Sequence, residues 1–91
     1  MYISGDDIKD VKITSNHEYN LSLGYMKALK SFTCDEYVVL SNRCFANATG
    51  LEEITFLGTT KEWRKVKKEP SWKAYSALTR IVCTDGVVTF K

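Results

Sequence analysis

A single histidine and a single proline occur among 91 residues, and the five glycines are scattered. One histidine excludes an H-x-x-x-H metal motif, and scattered glycines leave no loop to cradle a phosphate. No Ser or Cys stands in a nucleophile motif. His17, in "SNHEYN", reads as a loop residue. The adjacent carboxylates of "DEY" at 35–37 and "EE" at 52–53 make no acid–base couple, because strand neighbours point to opposite faces. Three cysteines, Cys34, Cys44 and Cys83, are odd in number and widely spaced, which fits neither a disulfide framework nor a C-x-x-C metal site. Each lies beside apolar neighbours ("FTC", "RCF", "IVC"), as buried free thiols do. No catalytic residue, metal ligand or cofactor site is therefore expected, and the chain does not read as an enzyme.

Long apolar runs are missing too. None approaches the ~18–20 residues needed to span a bilayer, so no membrane partner is expected. The opening "MYISGDDIKD" has no basic stretch followed by an apolar one, so it does not read as a signal peptide. The expectation is a cytoplasmic protein if Met1 is the native start, and a cell-surface one if the chain belongs to a longer protein.

What is present is an ordinary globular composition, 44% hydrophobic and 26% charged, in a length that allows one domain. A chain of this size buries only ~60–65% of its unfolded surface. The net charge of +2 hides an asymmetry. Residues 1–60 carry five Lys/Arg against eight Asp/Glu, and residues 61–91 carry eight against three.

The pattern L-x-x-Φ-x-Φ (Φ apolar) occurs four times: "IKDVKI" at 8–13, "LKSFTC" at 29–34, "LEEITF" at 51–56 and "LTRIVC" at 78–83. In a strand the fourth and sixth residues of each unit share a face. Val11, Phe32, Ile54 and Ile81 then form one buried column, and Ile13, Cys34, Phe56 and Cys83 another. Ile8, Leu29, Leu51 and Leu78 sit at the strand entries. One six-residue strand cannot bury such a face alone, whereas parallel stacking with ~15-residue returns can. In the return "YVVLSNRCFANATG" at 37–50, Tyr37–Leu40 reads as extended and Ser41 as the cap of a one- or two-turn helix with Cys44, Phe45 and Ala48 on its apolar side. "NLSLGYMKA" at 20–28 fills the equivalent slot one unit earlier. Gly50 stands where a left-handed residue often precedes a strand.

The stretch "YVVLSNRCFANATGLEEITFLGTTKEWRKV", followed by "LTRIVCTDGVVTF", resembles the BspA-type leucine-rich repeats of bacteria. The elements "ITFLGTTKEW" and "CTDG" are similar to that family's C-terminal cap. The likeness covers about residues 29–90, and 8–28 more weakly. It implies a curved, parallel-strand solenoid used for binding, with no catalytic residues. Family members usually carry more repeats than the two ordinary units found here. The fold class expected is thus α/β: a short leucine-rich-repeat-like solenoid with a small helical cap at 60–76. Residues 1–28 form a divergent N-terminal unit, 29–58 the repeat core and 59–91 the cap. "DG" at 85–86 signals a hairpin from 78–83 into 87–90.

Two surfaces are candidates for function. The first is the ladder face between the buried columns: Lys9, Asp10, Lys12, Lys30, Ser31, Thr33, Glu52, Glu53, Thr55 and Arg80. Parallel strands ~4.8 Å apart let Lys30 meet Glu52, and Glu53 meet Arg80. It reads either as a solvated face or as a mixed-charge surface for a partner protein, which solenoids commonly bind there. The second is the basic strip Lys61, Arg64, Lys65, Lys67, Lys68 and Lys73, interleaved with Trp63 and Trp72. Phosphate contact and base stacking would suit nucleic acid. The plainer reading closes the solenoid end with the tryptophans and keeps it soluble with the lysines. The leading functional expectation is a non-catalytic protein-binding module. Alternatives are a phage- or mobile-element-encoded inhibitor of a host defence complex, of the anti-CRISPR kind, and nucleic-acid binding through the strip. The strand edge near residues 2–13 is less protected and offers a route to a homodimer.

Overall fold

A computed structural model describes residues 1–90. The chain is an α/β domain of two sheets and one short helix. Its elements are β1 (Tyr2–Ile3), β2 (Asp10–Lys12), β3 (Tyr19–Leu23), β4 (Ser31–Cys34), β5 (Val38–Leu40), β6 (Glu53–Phe56), α1 (Thr60–Lys65), β7 (Lys67–Lys68), β8 (Arg80–Cys83) and β9 (Gly86–Thr89). From β1 to β8 successive strands alternate between the sheets, giving the orders β1-β3-β5-β7 and β2-β4-β6-β8-β9. All neighbours pair parallel except β8 and β9, which form the expected hairpin.

The four repeat units lie side by side in the five-stranded sheet. Val11 is in register with Phe32, Phe32 with Ile54, and Ile54 with Ile81, and Cys34 is opposite Phe56. Phe32, Ile54, Ile81, Cys34 and Phe56 are all essentially buried. The strands begin two residues later than the repeat suggests. Leu29 and Leu51 are completely buried, but their N–H groups close turns onto the carbonyls of Met26 and Ala48 instead of joining the ladder. Side-chain periodicity reports burial, and it cannot see which backbone groups the preceding turn has taken.

The second ladder is absent from the repeat pattern. Leu21 pairs with Leu40, and Val39–Leu40 pairs with Lys67–Lys68, so the extended run at 37–40 becomes the middle of a four-stranded sheet. The helix expected after Ser41 does not form. Residues 42–47 instead make successive turns, with Cys44 N–H donating to Ser41 and Ala46 N–H to Arg43. Arg43 is left-handed (φ 57°), and the Cys44 and Asn47 carbonyls accept from Leu23 and Met26 of the preceding unit. Backbone acceptors that serve a neighbouring unit are lost to a local helix. Cys44, Phe45 and Ala48 are nevertheless buried, as their spacing implies.

The cap helix is also shorter than expected. It starts from a capping box, in which the Thr59 hydroxyl accepts from Glu62 N–H (3.1 Å) and the Glu62 carboxylate accepts from Thr59 N–H (2.9 Å). Val66 leaves it with extended backbone (ψ 133°), β7 follows, and residues 70–75 turn. Trp63 and Trp72 are buried, in contact edge-to-face at 5.7 Å. They extend a run of aromatic contacts from Phe32 through Phe45 to Trp72, and from Trp63 to Phe56. Phe90 adds to Trp72 from beyond the hairpin. Tyr75 is 77% exposed and left-handed (φ 61°).

Candidate functional site

The alternation of each repeat strand turns one set of side chains inward and the other outward. Ser31, Glu53, Thr55 and Arg80 of the outward set line a cleft of ≈ 260 Å³ across β4, β6 and β8, together with Phe32 and with Lys30, Gly50 and Glu52, which precede the strands. Six of the ten ladder-face residues therefore converge on one concavity. Thr33 lies in register with Thr55 but outside the lining, and Asp10 and Lys12 on the edge strand β2, with Lys9 just before it, lie at the edge of the sheet. Phe32 and Gly50 were not singled out as site residues. Phe32 reads as core from its periodicity, and it is 1% exposed.

The charges within the cleft are unevenly committed. Arg80 Nε donates to Glu53 Oε1 at 2.7 Å, and Arg80 Nη1 donates to Thr79 Oγ1 at 3.1 Å. The Thr79 hydroxyl in turn donates to the Glu52 carbonyl at 3.1 Å. These contacts hold the guanidinium against the sheet. Both members of the Glu53–Arg80 pair are about 40% exposed, so solvent screening limits its net worth to about 0.2–1 kcal/mol. The expected Lys30–Glu52 pair does not form. Ion pairs among the described residues are Glu53–Arg80 and Glu18–Lys67. Glu53 is in direct register with Arg80, whereas Lys30 and Glu52 precede their strands. Lys30 instead extends over Gly50, where a Cβ would meet its Nζ at 2.7 Å. Gly50 does not have the left-handed backbone expected of it, since no glycine among the described residues has positive φ. Its lack of a side chain leaves room for the ammonium.

The basic strip is not one continuous surface of free cations. Lys61, Arg64 and Lys65 are exposed on α1, but Lys67 pairs with Glu18 at 3.0 Å. Lys68 turns inward, donating to the carbonyls of Trp63 (2.8 Å) and Val66 (3.0 Å) over the Trp63 ring. Its ammonium thus sits at the C-terminal end of α1, and burial lowers its pKa. Lys73 lies over Phe90, 4.1 Å from the ring centre. The two tryptophans that would stack on bases belong to the core.

The thiols are buried and free. Burial pushes Cys34 and Cys44 up to about 12 and raises Cys83, the opposite of what an activated nucleophile needs. No group of three or more His, Cys, Asp or Glu among the described residues could hold a metal ion. No described helix is long and apolar enough to cross a membrane. Comparison with protein-family models, with curated proteins and with solved structures gives no match for the chain.

Proposed function

We propose that this chain is a small, non-catalytic protein-binding module, a short solenoid of the leucine-rich-repeat kind that meets a partner protein through its ladder face. The observation that carries this reading is the cleft on that face. Lys30 and Glu52 stand on its walls without ion-pair partners among the described residues, beside the internally neutralised Glu53–Arg80 pair. A partner presenting one acidic and one basic side chain at matching separation would satisfy both, and opposite potentials of this kind favour specificity and register. The resemblance to BspA-type repeats and the parallel register of the four repeat strands support the same reading.

Nucleic-acid binding has less support. Its stacking residues are buried, and Lys67, Lys68 and Lys73 are engaged within the fold.

The test is an affinity pull-down from lysates of the source cell and of its natural host or prey, with a nuclease-treated control and mass spectrometry. One stoichiometric protein that persists after nuclease is expected. Reversing both free charges, with Lys30→Glu and Glu52→Lys together, should lower its recovery about tenfold or more, since mismatched interface charges cost on the order of several kcal/mol. Recovery that vanishes with nuclease, or is indifferent to both reversals, would overturn the reading.

A further inference from the structure

The five-stranded sheet ends on β2, which has one neighbour, β4. The Lys9 carbonyl accepts from Lys30 and Ser31, and Ile13 N–H donates to Thr33. Main-chain groups of alternate residues face the same side of a strand, so positions 9, 11 and 13 are turned toward β4. The backbone N–H and C=O groups of Asp10 and Lys12 therefore point away from the sheet, and both side chains are exposed on its outer face. Neither has an ion-pair partner among the described residues. At this same end of the core Ile3, Ile8, Val11 and Ile13 are only partly buried, whereas the middle of each column is closed.

We propose that β2 is the interface of a two-fold dimer, in which it pairs antiparallel with β2 of a second copy, centred on Val11. Charge selects that register. An edge whose outward groups belong to residues 10 and 12 can meet its own copy with Asp10 facing Asp10, with Lys12 facing Lys12, or with each Asp10 facing a Lys12. Only the last sets opposite charges across the join, and it does so twice by symmetry. It also makes Asp10 and Lys12 a hydrogen-bonded pair, using the main-chain groups that point outward. The other edges lack this self-complementarity: β7 offers two lysines, β9 carries no charge, and β1 is two residues long. Pairing through β2 joins two five-stranded sheets into one. The partly buried isoleucines are brought to the join, and two ladder clefts face the same way. A partner with two-fold symmetry could then be held at both.

Sedimentation velocity on the full chain over a concentration series tests this, with Asp10→Lys and Lys12→Asp made singly and together. Monomer–dimer exchange is expected for the native chain. Each single reversal should weaken it about tenfold, by setting like charges opposite in two symmetric pairs, and the double reversal should restore it. Concentration-dependent hydrogen exchange on the native chain gives a readout free of any variant. The amides of Asp10 and Lys12 should slow as concentration rises, while that of Val11, bonded within the sheet, should not change. A monomer at every concentration, a double reversal that fails to recover the dimer, or growth past the dimer through β2 meeting β9 would each overturn the proposal.

Discussion

Tyr19 shows how a side chain can be placed well and satisfied badly. It opens β3 half-buried, with a hydroxyl that is fully enclosed and has no hydrogen-bond partner among the described residues. Burial raises its pKa, and the nearby Cys34 and Asp35 push in the same direction. A buried hydroxyl without a partner carries a desolvation cost of about 1–3 kcal/mol. Tyr19→Phe keeps the ring and removes that cost, so it should stabilise the fold by about 1 kcal/mol in urea unfolding with an unchanged slope. A loss of stability would mean that the hydroxyl is solvated. Asp35, three residues before the next strand, is by contrast fully used. Its carboxylate accepts from the N–H groups of Ser15 and Tyr37, tying two successive turns together.

Among the elements, α1 is the least able to stand alone. Six residues cannot offset the cost of helix nucleation, so its ends and its one buried tryptophan must hold it. The N-terminal end has the Thr59–Glu62 capping box, and Thr60 N–H donates to the Asp85 carboxylate at 2.8 Å. That contact ties the helix to the β8–β9 turn. At the C-terminal end the Lys68 ammonium occupies the carbonyls. Thr59→Ala should destabilise the protein by about 1 kcal/mol, as an N-cap loss does. The effect should be global, because α1 carries Trp63 into the core. A loss of helical signal without a change in the unfolding midpoint would show that α1 frays independently.

The three core thiols make alkaline pH a probe of the whole molecule. Below the ordinary thiol pKa of 9.0, folded and unfolded chains hold the same protons on Cys34 and Cys44. Above it the unfolded chain loses them first, because burial keeps both thiols protonated in the fold up to about 12. The unfolded state then binds fewer protons, so stability falls with rising pH, by up to roughly 1.4 kcal/mol per pH unit for each thiol. Tyr19, also raised, adds in the same sense above 10.0. Equilibrium unfolding should be indifferent to pH near neutrality and weaken steadily between the ordinary and the raised values. A flat profile across that window would mean that solvent reaches the thiols in the native state.

Sequence and tertiary structure divide this protein along a physical line. The repeat spacing alone determined the main ladder, its buried columns and the outward face that contains the cleft, because strand periodicity and burial are local properties of side-chain order. The "DG" signal before "VVTF" likewise located the closing hairpin. What the spacing could not reach was the use of backbone groups between units. The second sheet, the turns at 42–47 and the early end of α1 all depend on which carbonyl of one unit meets which N–H of the next. The same holds for the candidate site. The positions between the buried columns named Lys30, Ser31, Glu52, Glu53, Thr55 and Arg80, but only the packed units decided that Arg80 pairs with Glu53, that Gly50 makes room for Lys30, and that Lys68 is drawn into the cap. Those choices depend on contacts between residues far apart in the chain, and no local pattern encodes them.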